Sequence, residues 1–321
     1  MPQNAILFTS VVGPNGQTIV LRANAQGELV VAAAPGNSWY VNEATGSDTN
    51  TGSSNAPFKT LAAAQAAAVA NNGDVVYLYG TAHLTATLNW AKNGVSLIGL
   101  NAPSQNDRAR LSSSGTTVFT PMVNVTAQGC SFSNIGTFYG YVDAVAQVCW
   151  AEAGGRNFYG NVEFFGGGNA TGAAQAGCRS LTIAGNGENE FVDCTFGLDT
   201  VVRGTAANAT VEFLGGVQRN KFVRPIFQMD SSLATNVHIK AAASAVDRNQ
   251  YMFDPIFSNT VDSGATALNA DVLWDAAAGG GLILAGNTMS VGATAIAVAG
   301  PVYINGPVPT ATTSGIGIKA T

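Results

Sequence analysis

The chain has 321 residues, of which 10% are charged, and its 14 basic and 19 acidic residues give a formal net charge of −5. Soluble domains usually carry about 25% charged residues, and no basic stripe is present here, which argues against a nucleic acid or an anionic membrane surface as partner. The 46% of apolar residues exclude a disordered chain, and the 38 glycines favour a β-rich protein with many turns.

Residues 1–38 form a short β-rich segment. The runs AILFTSVVG and QTIVLRANAQGELVVAAA are typical of strands, and GPNGQ and NAQGE are typical of turns. A segment this small cannot bury a core of its own, so we expect it to lie against a larger body. Its apolar side chains, which we expect to seal the attachment of the chain to a partner protein, are Ile6, Leu7, Phe8, Val11, Val12, Ile19, Val20 and Leu29.

Targeting segments are not evident. The first residues lack the basic and apolar regions of a signal peptide, so we expect synthesis in the cytoplasm. No run of 18 uncharged apolar residues predicts a membrane span.

The region from residue 39 onward begins with a strand and a helix. Trp39–Asn42 has the pattern of a strand, Pro57 and Thr60 open an Ala-rich helix over about residues 58–71, and DVVYLYG predicts a further strand. We expect this helix to cap the structure that follows.

A repeated phrase dominates the rest of the chain. NEFVDCTF, NKFVRPIF and QYMFDPIF end at Phe196, Phe227 and Phe257, and comparable phrases end at Phe138 and Phe164, at intervals of 26, 32, 31 and 30 residues. Repeats of this length indicate solenoids or propellers, and the markers of propellers, leucine-rich repeats and helical repeats are absent. The pattern therefore predicts a parallel β-helix over residues 39–300.

Two expectations follow from stacking these phrases. Alternation predicts that the inward positions of the coils are Val192, Cys194 and Phe196, then Val223, Pro225 and Phe227, then Phe253, Pro255 and Phe257. Asp193, Arg224 and Asp254 then fall at equivalent positions on the outer wall, where alternating charge predicts a stabilising ladder. The last segment, 301–321, contains three prolines and is expected to form a cap or an extended arm.

Residues 39–104 resemble the opening of right-handed parallel β-helix proteins of the pectate-lyase-like superfamily, through YVNEATGSDTNTGSSNAPFKTLAAA, GDVVYLYG and NGVSLIGL. The resemblance implies an all-β chain with a right-handed parallel β-helix and an N-terminal capping helix. The chain also resembles proteins of tailed-phage structural regions, through LNWAKNGVSLIGLNAPSQNDRARL, CWAEAGGRNFYGNVEFFGGG and TSGIGIKAT. That resemblance implies a homotrimer that decorates a capsid or forms a tailspike.

Enzymes with this fold use carboxylates on polysaccharides, and inverting or retaining glycosidases need a pair at a set distance. The candidate acids are Glu163, Glu188 and Asp193, with Glu190 and Asp254 as further acids. No catalytic pattern of the superfamily is recognisable, and the ladder explains Asp193 and Asp254 better. His83 and His238 stand alone and are expected at surfaces or turns, and they and the scattered cysteines predict neither a metal site nor a cofactor.

Six aromatic residues would stack sugars if they lined an outer groove, whereas packing in the core or at a trimer interface is the alternative. They are Trp90, Tyr139, Tyr141, Trp150, Tyr159 and Trp274.

Two hypotheses of function remain. The first is a non-enzymatic virion protein, a trimeric decoration or spike on the capsid surface that binds the major capsid protein through residues 1–38. The second is a tailspike depolymerase that cleaves a host surface glycan, with glycan binding without cleavage as a weaker form.

Overall fold

The computed structural model describes residues 36–101, 109–115, 117–204, 208–260, 266–298 and 300–304, and the backbone of four strands before them. The chain divides into two units between Gly36 and Asn37. In the first unit, two strand pairs are antiparallel. These strands are β1 (Ser10–Val12) with β2 (Thr18–Val20), and β3 (Arg22–Ala23) with β4 (Leu29–Val30).

The apolar residues expected to make the attachment fall outside what the structure describes. Ile6, Leu7 and Phe8 lie outside the described residues, and so do the side chains of Val11, Val12, Ile19, Val20 and Leu29.

The second unit is built from three parallel sheets, to which each coil of the chain contributes strands in turn. The first sheet contains β5 (Ser38–Asn42), β6 (Val75–Tyr79), β9 (Ser96–Gly99), β12 (Ser131–Ser133), β15 (Phe158–Gly160), β18 (Glu190–Val192), β22 (Lys221–Val223), β25 (Gln250–Phe253), β28 (Leu282–Ala285) and β31 (Val302–Ile304). The second contains β7 (Thr81–Leu84), β10 (Ala109–Ser113), β13 (Ile135–Tyr139), β16 (Glu163–Gly166), β19 (Thr195–Phe196), β20 (Val202–Arg203), β23 (Ile226–Ser231), β26 (Ile256–Thr260) and β29 (Met289–Val291). The third contains β8 (Leu88–Trp90), β11 (Val123–Val125), β14 (Val148–Glu152), β17 (Arg179–Ala184), β21 (Ala209–Leu214), β24 (Val237–Ala241), β27 (Val272–Trp274) and β30 (Ala297–Val298).

This arrangement confirms the parallel β-helix that the sequence predicts. Two helices accompany the strands, α1 (Leu61–Ala67) and α2 (Ala170–Ala173), and α1 is shorter than the predicted helix. The Thr60 hydroxyl caps α1 by accepting from the Ala63 N–H at 3.1 Å, as expected for a helix that starts there. At the other end, β31 pairs with β28, so the stack continues into the segment predicted to be a cap.

The core is formed by columns of side chains that stack on one another from coil to coil. In the first sheet, the rings of Tyr159, Phe191 and Phe222 stack with centroids 4.6 Å apart. In the second sheet, Phe164, Phe196, Phe227 and Phe257 are in register, and successive ring centroids are 5.0 to 5.1 Å apart. All of these side chains have zero exposure. The recurring phenylalanine is therefore the stacking position that the repeat predicted.

Phe138 does not belong to this column. It lies opposite Phe165, and Thr137 occupies the place beside Phe164. Because side chains alternate along a strand, a shift of one residue turns Phe138 to the outer face, where it is half-buried.

The predicted inward positions were wrong for the first sheet. Val192, Val223 and Phe253 face outward and are half-buried, whereas the residues just before them, among them Phe191 and Phe222, point into the core.

The corner between the first and second sheets explains the error. A single residue in the left-handed region, with φ of 50° to 53° at Asp193, Arg224 and Asp254, joins the two strands. This conformation interrupts the alternation, so the inward set restarts one residue later, at Cys194, Pro225 and Pro255.

A column of amide side chains runs through the start of the first-sheet strands. The backbone N–H of Asn157 donates to Oδ1 of Asn189 at 2.9 Å, and Asn189 donates in the same way to Asn220 at 3.0 Å. Asn220 donates from its backbone and its side chain to Oε1 of Gln250, at 2.9 and 2.8 Å. These amides are buried, so the column satisfies polar groups where the backbone turns into the first sheet.

We predict that Phe222→Ala destabilises the chain by about 3–5 kcal/mol, because the substitution opens a cavity in the middle of the stacked rings. Urea unfolding followed by circular dichroism measures this change. Val223→Ala, on the next residue of the same strand but facing outward, is the matched control and should cost about 1 kcal/mol or less. Equal losses for the two variants would contradict the assignment of the inward face.

Candidate functional site

The outward side chains of the first sheet form an apolar surface, here called the outer strip. The register places Val192, Val223 and Phe253 in one outward column, and Tyr251 and Ile283 in the next. Each of these is half-buried, and Phe158 and Tyr303 are 39% and 58% exposed. The outer strip consists of Tyr77, Tyr79, Ile98, Phe158, Val192, Val223, Tyr251, Phe253, Ile283 and Tyr303.

The outer strip follows the whole first sheet but is interrupted by polar residues. The sheet has ten strands, and at about 4.8 Å per strand its outward face extends for roughly 40 Å. In one column Ser133 and Gly160 lie between Ile98 and Val192. In the other, Ser131 lies on one side of Phe158, and the ion pair of Glu190 Oε1 with Lys221 Nζ, at 2.8 Å, lies on the other. Exposed apolar side chains gathered on one face mark interaction surfaces.

Glu188, one of the candidate acids, is held between two arginines from neighbouring coils. Arg156 Nε donates to one carboxylate oxygen at 2.7 Å, and Arg219 donates to the other. Hydrogen bonds from Arg156 and Arg219 lower the pKa of Glu188. A carboxylate held ionised in this way is a poor general acid.

The three ladder residues occupy successive corners of the solenoid. Arg224 donates from Nε and Nη2 to the two oxygens of Asp193, at 2.6 and 2.7 Å, and this hydrogen bonding lowers the pKa of Asp193. Asp254 accepts instead from the backbone N–H of Asn287 at 2.7 Å. The closest contact of the ladder is therefore the bidentate Asp193–Arg224 pair.

Glu163 lies in β16 and is only 2% exposed, so a polysaccharide cannot reach it. The three candidate acids thus occupy a second-sheet strand, the turn before β18, and a corner. The structure does not gather them into one accessible site.

Glu188 does line a shallow hollow of about 340 Å³. Arg156, Glu190 and the exposed ring of Phe158 line the same hollow. The hollow combines an aromatic face with charged groups, a pairing found in surfaces that bind sugars.

The six aromatic residues considered for sugar stacking are all core residues. Tyr141 is 7% exposed, and the other five have zero exposure. Core packing, one of the two alternatives for these residues, is therefore what the structure shows.

Both histidines have a carboxylate partner, and the expectation of a surface or turn position holds for His83 but is wrong for the buried His238. His83 contacts Glu43, with Nδ1 3.1 Å from Oε2, at a half-exposed site. His238 is fully buried, with Nδ1 3.0 Å from Asp271 Oδ1, and Ser290 Oγ donates to the same carboxylate at 2.5 Å. Since all three side chains have zero exposure, this trio is a core network.

Among the buried acids that sequence reasoning missed is Glu152, at the end of β14. Its carboxylate accepts from the Gly155 N–H at 2.7 Å, from Asn157 Nδ2 at 3.1 Å and from the Tyr159 hydroxyl. Burial raises the pKa of Glu152 to about 7, although these hydrogen bonds oppose the rise. Glu152 is 1% exposed and faces the core, so no substrate can approach it. The sequence contained one signal of this burial: Glu152 lies two residues after the inward Trp150 in β14, and residues two apart share a face of a strand.

The described part of the chain has no metal-binding cluster and no membrane-spanning helix. No group of three or more His, Cys, Asp or Glu side chains is arranged to hold a metal ion there. No helix there has the length and apolar character needed to cross a membrane.

Comparison with known proteins supports the fold. No protein-family profile and no curated protein matches the chain. A rhamnogalacturonan lyase structure is similar over 80% of this chain and 74% of its own, with 14% identity and a TM-score of 0.50. A pectin methylesterase from Aspergillus niger covers 89% of this chain and 87% of its own, with 15% identity and a TM-score of 0.49. A pectate lyase covers 86% and 82%, with 14% identity and a TM-score of 0.37.

At this identity the likeness to the rhamnogalacturonan lyase establishes the fold alone.

Glu152 gives the chain a pH-dependent stability that can be tested. The folded protein holds its proton up to about pH 7, compared with an ordinary value of 4.5. Its contribution to the free energy of unfolding therefore falls as the pH rises from 4.5 to 7 and is constant above that range. We predict that in Glu152→Gln the free energy of unfolding no longer shows this fall, which amounts to up to about 3 kcal/mol.

Urea unfolding of the wild type and Glu152→Gln at pH 4.5, 6 and 8 measures the difference between them. Glu188→Gln is the control, because the lowered pKa of this exposed carboxylate gives a dependence of opposite sign. Parallel pH profiles for the wild type and Glu152→Gln would contradict the prediction.

Proposed function

We propose that the chain is a non-enzymatic structural protein of a tailed-phage virion, a trimeric decoration or spike protein on the capsid. The outer strip is the observation that carries this proposal. It presents exposed apolar side chains along one face of the stack, and three identical copies packed around an axis would bury them.

The state of the surface acids also supports a structural role. Glu188 is neutralised by two arginines and Asp193 by one. Hydrolysis of a glycosidic bond needs an acid that holds its proton near neutral pH beside a second carboxylate. Glu152, whose pKa burial raises to about 7, is closed inside the coils.

In the proposed virion, residues 1–38 attach the trimer to the major capsid protein. The resemblance to phage structural proteins supports this assignment, and so does the separate compact unit that ends at Gly36. The apolar residues between Ile6 and Leu29 would seal the contact.

Glycan binding is a second candidate, supported by the hollow beside Phe158. The ring is 39% exposed, and Glu188, Glu190 and Arg156 offer polar partners around it. A tailspike that binds a host surface glycan would use such a surface, without the need for a catalytic acid.

We predict that the wild type is a trimer and that Phe253→Glu dissociates it, because burying a charge in the interface opposes association. Light scattering after size exclusion measures the molar mass, and we expect at least a tenfold weaker association. Leu273→Glu is the matched control, since Leu273 is 37% exposed but lies on the third sheet. A monomeric wild type, or equal effects of the two variants, would count against side-by-side packing.

We also predict that deletion of residues 1–35 leaves a folded trimer that no longer binds capsids. Cosedimentation of the purified protein with capsids that lack it measures binding. Retained binding would contradict the assignment of residues 1–38 to capsid attachment. Cleavage of a host polysaccharide by the full chain, lost in Glu188→Gln, would instead favour the depolymerase.

A further inference from the structure

A groove of about 690 Å³ lies between α1 and the first coil, and is here called the cap groove. Gln65 and other residues of α1 form one wall, and β7 with the start of β8 forms the other. The lining is mainly apolar, from Leu61, Leu84 and several alanines. The cap groove lies at the opposite end of the stack from β31.

The wall formed by β7 is an open sheet edge. β7 is the last strand of the second sheet, with β10 on one side only. The carbonyls of Gly80 and Leu84 accept from β10, at 2.9 and 2.8 Å. Because these groups alternate along a parallel strand, the backbone N–H and C=O of His83 point to the other side, toward the cap groove. An open edge of this kind is a template for an added strand.

Glu43 covers part of this edge. Its Oε2 accepts from the backbone N–H of His83 at 2.6 Å, and the carboxylate also contacts the His83 ring. A carbonyl oxygen of an added strand would occupy that same position. The Glu43 carboxylate therefore takes the place of a strand carbonyl at this N–H.

The opposite wall carries an amide without a partner. Gln65 is 7% exposed, and neither its Oε1 nor its Nε2 has a hydrogen-bond partner. A buried amide in this state costs free energy, which it would recover by turning toward a ligand with one donor and one acceptor in the groove. A peptide group offers that pair in one plane.

The local charges around the cap groove favour an acidic partner. Lys59 and Lys92 line it, and its one lining carboxylate, Glu43, contacts His83. Lys92 also donates to the carbonyls of Ala66 and Ala68, at 2.7 and 2.6 Å, and so fixes the end of α1. Among the described residues that line the groove there is no Phe, Tyr or Trp, the side chains on which sugars stack.

We propose that the cap groove binds an extended, acidic peptide segment of a partner protein, which adds a strand to β7 and pairs its other backbone edge with the Gln65 amide. The volume suits about five residues, and specificity comes from small side chains that face the alanines. Binding displaces the Glu43 carboxylate from the His83 N–H. This is peptide recognition by strand addition.

The test uses the full chain and a library of displayed random decapeptides, selected on the wild type and depleted on Gln65→Leu. We expect enriched peptides that contain Asp or Glu and lack proline. Isothermal titration with the synthetic peptides should then show at least tenfold weaker binding to Gln65→Leu and stronger binding to Glu43→Ala. Thermal unfolding should show Gln65→Leu to be as stable as the wild type or more so, because the buried amide is gone.

Backbone pairing is tested with the best peptide, N-methylated at one residue at a time. Methylation at alternate residues, those that donate to β7, should abolish binding, whereas methylation at residues whose N–H points away from β7 should leave it measurable. No enrichment over Gln65→Leu, equal affinity for both proteins, or no alternation in the methylation series would each overturn the proposal. Binding of an oligosaccharide, but of no peptide, at this groove would also overturn it.

Discussion

The parallel register between neighbouring coils is the constraint on which the rest of the structure depends. Each corner residue donates its N–H to the coil that follows, as Asp193 does to the Val223 carbonyl at 3.0 Å and Arg224 to the Phe253 carbonyl at 2.8 Å. With every coil locked to its neighbours, a side chain meets the same position of the next coil at about 5 Å. Stacked rings and opposite charges tolerate that distance, whereas like charges do not.

The same constraint determines the character of the two outer surfaces. At the corner and at the turn before the first sheet, acids meet arginines of the neighbouring coil, so Asp193 and Glu188 become part of the wall. On the flat face between them, the repeated phrase places apolar residues outward, and in the described part of the chain no other coil covers them. Glu188 and Asp193 are therefore committed to structure, and the outward apolar side chains are left to make contacts outside the stack.

Much of the fold follows from the repeat in the sequence, because the period and the phenylalanine at its end depend only on stacking. The inward face of the first sheet could not be predicted, because one left-handed residue, Asp193 or its equivalent, shifts the alternation of side chains. Asp and Arg do not indicate a left-handed conformation in a sequence, as glycine would. The site was harder still. The outer strip could not be predicted, because the sequence pattern had assigned the outward residues of the first sheet to the core. The pairing of Glu188 with two arginines depends on which coils are neighbours. The cap groove depends on how α1 packs against the first coil.

The amide column has a consequence for how the protein could change in length. Each asparagine of the column accepts a backbone N–H from the preceding coil and donates its own N–H to an amide oxygen of the next, as seen for Asn157, Asn189 and Asn220. Because every link is the same, the column has no preferred number of members. Gln250 can end the column because its longer side chain donates from Nε2 to the carbonyls of Val217 and Arg248. Duplication or loss of one whole coil would join donor to acceptor as before. The molecule is thus modular in length while its two ends stay unchanged.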